Sequence, residues 1–186
     1  MDSVPSDIDL LDREYAFRGR LIALHVDRIR FPDGKEATRE VVAHPGAVAV
    51  VALPEPGSVL LVQQYRHPIE GLLWEIPAGK LESGESPLAC AKRELLEETS
   101  FFADRWQGPL PVYTTPGFSD ERISLFLATS LRRVTTPPDA DVVRCASVSA
   151  KQLQTLLDRG ELIDAKTLLG LLWFGLLRPA GGGIET

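Results

Sequence analysis

Three acidic residues lie close together in a segment with the composition of a helix. Glu94, Glu97 and Glu98 occupy positions i, i+3 and i+4, so their side chains project from one helical face. Like charges at this spacing repel each other by about 0.2–0.5 kcal/mol per pair on an open helix. A solvent-exposed helix face tolerates that cost, so an ordinary surface helix is one interpretation of the three acids. The other is a cation site, because carboxylate oxygens are the ligands that Mg²⁺ prefers.

The residues before these acids favour the cation site. A glycine-rich loop, Gly79 to Gly84, is predicted before the helix and would let the backbone approach a ligand or a metal. Arg93 could orient the carboxylate of Glu97, four residues later, and Glu85 could hold Arg93 in turn. Mg²⁺ typically takes one or two protein carboxylates and completes its shell with water and substrate phosphates. The arrangement therefore predicts divalent metal held against a diphosphate.

The elements that must position these residues form a mixed α/β pattern. Ser86 is a predicted N-cap, Pro87 suits the first helical position, and the helix is predicted to run to Thr99. Ser149 and Asp164 are predicted to begin two more helices, which end near residues 158 and 177. Strands are predicted at 21–28, 35–44, 48–53, 59–65, 71–77, 111–115, 124–129 and 142–148. This order predicts an α/β sandwich, with residues 1–13 frayed.

Length and composition limit the class of protein. The chain has 186 residues, 44% hydrophobic, which is enough for a proper core. Its net charge of −6, with no basic block, argues against nucleic acid as a partner. Two cysteines, Cys90 and Cys145, are predicted to be reduced thiols. The longest apolar run, residues 168–177, is too short to span a bilayer, and the N-terminus shows no secretory signal. We therefore expect a cytoplasmic protein that binds no membrane.

The acidic segment resembles the signature of the Nudix hydrolases. Its specified positions are matched at the family's spacing by Gly79, Glu85, Arg93-Glu94-Leu95 and Glu97-Glu98. The signature then has one free residue, a glycine and an aliphatic residue, where this chain has Thr99, Ser100 and Phe101. A serine costs about 1 kcal/mol in the left-handed conformation of a helix-ending glycine. The departure concerns the helix end and leaves the acids in place.

Further stretches are similar to the ADP-ribose pyrophosphatase branch of that family: residues 39–53, 59–80 and 114–121. Pro116 matches a proline that this branch carries after the signature. The likeness covers roughly residues 14–177. It implies an α/β fold, the Nudix α/β/α sandwich with a mixed sheet, and an N-terminal antiparallel β-layer. The implied boundaries are 1–45 for that layer, 46–178 for the hydrolase domain and 179–186 for a flexible tail. It also implies a homodimer in which the layer exchanges with the partner.

The resemblance implies Mg²⁺-dependent hydrolysis of ADP-ribose to AMP and ribose 5-phosphate, with Mn²⁺ as an alternative metal. A divalent metal lowers the pKa of the attacking water and polarises the phosphate. Glu94 and Glu98 would be the main side-chain ligands, the Ala78 carbonyl would also bind a metal, and Glu97 would be either a ligand or an orienting acid.

The general base stays open between several acids. The branch often uses a glutamate on a mobile loop, but the matching residues 135–142 offer Asp139 and Asp141 instead. An aspartate is shorter by about 1.5 Å, one C–C bond. Either aspartate or a signature glutamate could be the base, and a solvated turn is the other interpretation of this loop.

Substrate contacts also follow from matching positions. Arg39 and Arg66 match arginines that the branch uses on the nucleotide and phosphates, which suits the bidentate guanidinium. Glu75 and Glu121 match acids that bond ribose hydroxyls or base edges. Three aromatic residues are candidates for stacking on adenine, although we expect packing in the core for each: Phe17, Trp74 and Tyr113.

Two alternative functions stay open. The substrate could be another nucleoside diphosphate sugar, such as GDP-mannose, or a dinucleotide. A non-catalytic sensing module would be expected to lose signature acids or to carry an added domain, and this chain retains every signature acid. The three histidines are scattered and none is predicted to be a ligand.

Overall fold

The computed structural model describes residues 7–135 and 141–177. The chain forms two compact units, one of residues 1–46 and 113–122, the other of residues 47–112 and 123–186. The predictions for Asp139 and for a flexible tail at 179–186 lie outside the described residues. In the described ranges, no helix has the length and hydrophobicity that crossing a membrane requires.

The first unit contains an antiparallel sheet of three strands in sequence order, β1 (Asp9–Arg18), β2 (Ala23–Arg30) and β3 (Glu36–Ala43). The predicted hairpin of β2 and β3 is confirmed, with Gly34 at φ 84° in the turn. The prediction that residues 1–13 are frayed is wrong for residues 9–13, which pair with β2. Most β1 side chains are exposed, so no hydrophobic alternation marks the strand, and backbone pairing forms it instead.

The second unit contains two sheets and three helices. The strands are β4 (Ala47–Ala52), β5 (Ser58–Arg66), β6 (Gly71–Glu75), β7 (Ala78–Lys80), β8 (Phe101–Tyr113), β9 (Arg122–Arg133) and β10 (Val142–Ser149). One sheet has the order β10-β5-β6 and the other β7-β4-β9-β8, in which β4 and β9 run parallel. The helices are α1 (Pro87–Thr99), α2 (Ala150–Asp158) and α3 (Ala165–Trp173).

Side chains of β4 face two different cores. Val48 and Val50 pack with Leu95 of α1, whereas Ala49 and Val51 pack in the cluster that contains Leu153 of α2 and Leu171 of α3. Successive strand residues point to opposite faces of a sheet. Helices therefore cover both faces, and the fold is the α/β/α sandwich with a mixed sheet and an N-terminal antiparallel layer.

Some boundaries differ from those predicted. The predicted glycine-rich loop is wrong at its start, because Gly79 and Lys80 pair in strand β7, and it is confirmed for residues 81–84. Strand β8 begins at Phe101 rather than Pro111, and its mostly exposed side chains explain why its first half gave no pattern. Helix α3 ends at Trp173 rather than near Leu177, because Gly175 adopts φ 74°. Both cysteines are free thiols, as predicted.

Helix α1 begins and ends as the sequence predicts. The Ser86 side chain accepts from Ala89 N, and Pro87 is the first helical residue. Ser100 takes the left-handed C-cap position at φ 62° and ψ 28°, where the family signature has glycine. Its Oγ is buried and has no hydrogen-bond partner among the described residues. Ser100 therefore carries both backbone strain and an unpaired hydroxyl.

Replacement of Ser100 by glycine is expected to raise the free energy of unfolding by about 1–2 kcal/mol, measured by urea denaturation. Glycine relieves the left-handed strain and removes the unpaired hydroxyl, which outweighs its greater freedom in the unfolded chain. Ser130 provides a matched control, since it is exposed and also left-handed at φ 58°. Ser130→Gly should stabilise less. Equal effects would show that the buried hydroxyl costs nothing.

Candidate active site

The arginine of α1 holds three of the predicted site acids. Arg93 Nε and Nη2 each donate at 3.0 Å to the two oxygens of Glu85 in the loop before α1. Its Nη1 donates to Oε1 of Glu94 at 2.6 Å and to Oε2 of Glu97 at 2.9 Å. Hydrogen bonding from Arg93 lowers the pKa of Glu85 to about 2. Glu85 therefore stays ionised and fixes the guanidinium between the loop and the helix.

Glu98 is the most deeply buried acid of α1, at 6% exposure. Its Oε1 accepts from Gln64 Nε2 at 2.5 Å, and its Oε2 accepts from Ala78 N at 2.9 Å. Burial raises the pKa of Glu98 to about 7, although both hydrogen bonds act in the opposite direction. Burial also raises the pKa of Glu94. Glu94 is paired with Arg93, whereas Glu98 has no ion pair within the described residues.

The strand before α1 passes directly against one of these acids. A Cβ atom added to Gly79 would lie 2.0 Å from the carboxylate carbon and Oε1 of Glu94. No side chain fits there unless Glu94 moves. The first glycine of the motif thus makes room for the Glu94 carboxylate. The preceding residue of β7, Ala78, contacts Glu98.

The chemistry of this donor set fits a divalent metal. Arg93 contacts one oxygen each of Glu94 and Glu97, which leaves the second oxygen of each without a hydrogen-bond partner within the described ranges. In those ranges no three His, Cys, Asp or Glu side chains converge closely enough to hold a metal alone. Mg²⁺ needs only one or two carboxylates beside water and phosphate. A cation would also offset the buried charge of Glu94 and Glu98.

The raised pKa of Glu98 makes the stability of the metal-free protein depend on pH. Between its ordinary value of 4.5 and about 7, the folded protein retains a proton that the unfolded chain has released. This contribution is fully present below the unfolded value and is lost as the pH rises through the folded one. Relative to Glu98→Gln, wild type should lose on the order of 3 kcal/mol between about pH 4.5 and about pH 8.

Urea denaturation of both proteins in chelator at the two pH values measures this difference. Glu55→Gln, at an exposed turn, is the matched control and should show no such change. A pH-independent difference between wild type and Glu98→Gln would contradict the burial of an ionisable carboxyl at this position.

A second charged group of the same unit contains Arg66 and Glu75. Arg66 Nε and Nη2 donate to the two oxygens of Glu75, each at 2.7 Å, and Lys166 Nζ also donates to Glu75. Burial alone would raise the pKa of Glu75, but the bonds from Arg66 and the charge of Lys166 hold it below its ordinary value. The Glu75 side chain is 1% exposed. This geometry favours a role in orienting Arg66 over direct contact of Glu75 with a substrate.

The first unit has a cleft of about 410 Å³ that contains one of the predicted substrate contacts. Its lining includes Arg39 of β3 together with Tyr113, Pro116 and Phe118. Arg39 is exposed, and its Nη1 donates to the Thr38 carbonyl at 2.8 Å. The structure thus brings the predicted arginine and the branch-specific proline to one cleft.

The other predicted residues occupy diverse surroundings. Glu121 Oε2 accepts from Thr114 Oγ1 at 2.6 Å. Trp74 is buried, as expected, but packing in the core is wrong for Phe17 and Tyr113, which are 55% and 60% exposed. They lie on mostly exposed strands, where no core is available to cover them. Asp141 is exposed at the start of the segment that leads into β10.

Residue types alone gave no reason to choose Gln64 or Lys166. Gln64 is buried two residues after Val62 and four after Leu60 in β5. The period of two along the strand, which places it on the same face as these apolar residues, was the available signal. Lys166 lies two residues after the predicted cap Asp164, at the start of an apolar helix. The positive end of the helix dipole disfavours a cation in the first turn. A lysine at this position was therefore the available signal of an acidic partner elsewhere in the fold.

Comparison with known proteins places this geometry in a family. Residues 43–170 match the NUDIX domain. The chain belongs to the Nudix family. Ahead of the Nudix domain, residues 8–42 match the nucleoside diphosphate sugar hydrolase N-terminal domain.

Relatives of this Nudix chain span nearly its whole length. It is 40% identical over 167 residues to an ADP-ribose pyrophosphatase of Bacillus subtilis (strain 168), covering 88% of this chain and 90% of that protein. It is also 40% identical over 171 residues to an ADP-ribose pyrophosphatase of Mycobacterium tuberculosis, covering 89% and 82% respectively. A solved structure of an ADP compounds hydrolase has a TM-score of 0.80 and 19% identity, covering 93% of this chain and 95% of that one. That structure shares the Nudix fold.

Proposed function

We propose that this Nudix chain hydrolyses the diphosphate of ADP-ribose to AMP and ribose 5-phosphate with the help of a divalent metal. The observation that carries the proposal is a pair of carboxylates in a motif that retains every signature acid. Glu94 lies against Gly79 and Arg93, and Glu98 is buried beside Ala78. Two relatives at 40% identity that carry the name ADP-ribose pyrophosphatase support the substrate.

The residues of the motif divide the work of binding the metal. Glu94 and Glu98 hold it, with the Ala78 carbonyl beside them, and Arg93 keeps Glu94 and Glu97 in place through Glu85. A bound divalent metal supplies Lewis-acid polarisation of the phosphate and an activated water. The acidic segment from Glu75 to Glu98 then presents a neutral or positive surface to an anionic substrate.

Arg66 binds the diphosphate in this proposal, since its side chain is 40% exposed and its guanidinium is held from behind by Glu75. Arg39 and Glu121 contact the nucleotide, and Phe17 or Tyr113 stacks on adenine, as the resemblance implies. The general base is one of the loop acids Asp139 and Asp141 or a signature glutamate, as the resemblance implies.

The finer assignments rest on the same resemblance. The metal is Mg²⁺, with Mn²⁺ as a substitute, and the protein acts on a small-molecule nucleoside diphosphate sugar in the cytoplasm. It is a homodimer whose N-terminal layer, residues 1–45, contributes to dimerisation and substrate contact, while residues 46–178 form the hydrolase domain.

A panel of nucleoside diphosphate compounds tests the substrate. ADP-ribose, GDP-mannose and a dinucleotide are incubated with protein and Mg²⁺ or Mn²⁺, and the released phosphomonoesters are measured. Turnover of ADP-ribose above the others supports the proposal. Fast turnover of another compound without ADP-ribose hydrolysis would replace the substrate, and binding of nucleotide without turnover would indicate a sensing module.

A further inference from the structure

The exposed arginine of the candidate site stands at the end of a chain of alternating charges that begins on α3. Asp164 Oδ1 pairs with Lys166 Nζ at 3.0 Å, and Lys166 Nζ also donates to Glu75 Oε2. Glu75 in turn accepts from Arg66 with both oxygens. The exposed fractions of the side chains fall from 15–16% for Lys166 and Asp164 to 1% for Glu75, then rise to 40% for Arg66. Only Arg66 reaches solvent to a large extent.

The inner end of this chain is fixed to the strand beside it. The Asp164 side chain caps α3 by accepting from Thr167 N at 3.0 Å and from Thr167 Oγ1 at 2.6 Å. Thr167 Oγ1 accepts from Ile76 N at 2.9 Å, next to Glu75. The first turn of α3 is therefore bound to the end of β6, and Lys166 approaches Glu75 from a defined direction.

The outer end leaves hydrogen-bond donors for a ligand. Within residues 7–135 and 141–177, the Arg66 guanidinium bonds Glu75 through Nε and one hydrogen of Nη2. Nη1 and the second hydrogen of Nη2 therefore remain on its outer edge, next to the edge that Glu75 occupies. The direction of that edge depends on the plane of the Glu75 carboxylate. With only Arg66 as partner, this carboxylate could rotate with the arginine, whereas the second cation holds it in place.

We propose that Lys166 is a positioning residue for substrate binding, which fixes Glu75 so that Arg66 presents its outer edge to the diphosphate. The identity of the anion rests on the proposed function, whereas the positioning of the arginine does not. Lys166 itself touches no substrate.

Steady-state kinetics with ADP-ribose test the consequence for binding. Lys166→Met should raise KM about tenfold, by analogy with the 10–100-fold loss when a partner that orients a metal ligand is removed. It should change kcat by less than about threefold, because Arg66 contacts the diphosphate in substrate and transition state alike. Lys166→Arg should restore KM, and Lys151→Met, an exposed lysine on α2, is the matched control. An unchanged KM in Lys166→Met would overturn the proposal. So would a fall in kcat as large as the rise in KM.

A spectroscopic measurement tests the positioning without any turnover. The Arg66 Nε–H signal, assigned by its loss in Arg66→Lys, should exchange slowly with solvent in wild type and in Lys166→Arg. In Lys166→Met its exchange should be about tenfold faster or more. Unchanged exchange would refute the role of Lys166. If wild type fails to hydrolyse ADP-ribose, the proposed function fails, and this signal still decides the positioning role.

Discussion

Replacement of Glu98 by glutamine is expected to lower kcat/KM for ADP-ribose at least about 100-fold. Loss of an orienting partner of a metal site typically costs 10–100-fold, and loss of a ligand should cost no less. The amide retains the shape of the side chain. Its oxygen can accept from Ala78 N, and Gln64 can turn its own amide to pair with the new NH₂ group. The fold should therefore persist while the metal loses its most buried ligand.

Thermal unfolding with and without Mg²⁺ separates metal binding from folding in this variant. Mg²⁺ should raise the Tm of wild type and leave that of Glu98→Gln unchanged, because only a protein that binds the ion is stabilised by it. Glu55→Gln should behave as wild type in both assays. Full activity in Glu98→Gln would remove this carboxylate from the metal site.

Replacement of Gly79 by alanine is expected to reduce kcat/KM about 100-fold with little effect on stability. The new Cβ would lie 2.0 Å from the Glu94 carboxylate, and a displacement of about 1 Å at a catalytic group can cost 100-fold in rate. The atoms that must move are the far end of a flexible side chain. The Tm should accordingly stay within about 4 °C of wild type, the equivalent of about 1 kcal/mol for a chain of this size.

Gly71 offers the matched substitution within the same unit. Its added Cβ would meet the Ile69 carbonyl oxygen at 3.5 Å, an ordinary contact. Gly71→Ala should therefore retain activity. Equal activity of Gly79→Ala and Gly71→Ala would mean that the position of Glu94 is unimportant for catalysis. Unfolding of Gly79→Ala would mean that the fold, rather than the position of Glu94, requires glycine at this residue.

Local contacts explain which parts of the site could be predicted. The acids of α1 lie within one turn of each other and of Arg93, so helical periodicity alone brings them to one face. Ser86 and Pro87 indicate the helix start, because the capping hydrogen bond of Ser86 reaches only three residues along the chain. Glu85 reaches Arg93 from the adjoining loop, eight residues away. For each of these, the sequence spacing determines the distance in space.

Contacts between distant segments explain what could not be predicted. Gln64 meets Glu98 across 34 residues, and Lys166 meets Glu75 across 91 residues. Both depend on how β5, β6 and α3 pack, which no local pattern encodes. Strand β1 was missed for a different reason, because its exposed side chains carry no hydrophobic alternation and its pairing with β2 is a backbone property.

The dependence of ADP-ribose hydrolysis on free Mg²⁺ tests the central claim most directly. AMP and ribose 5-phosphate released by wild type are measured from full chelation to saturating metal. We predict no turnover in chelator and saturable activation as Mg²⁺ is added, because the buried carboxylates serve catalysis only through the cation they hold. Turnover that persists at full rate in chelator, or no turnover at any metal concentration, would contradict this account.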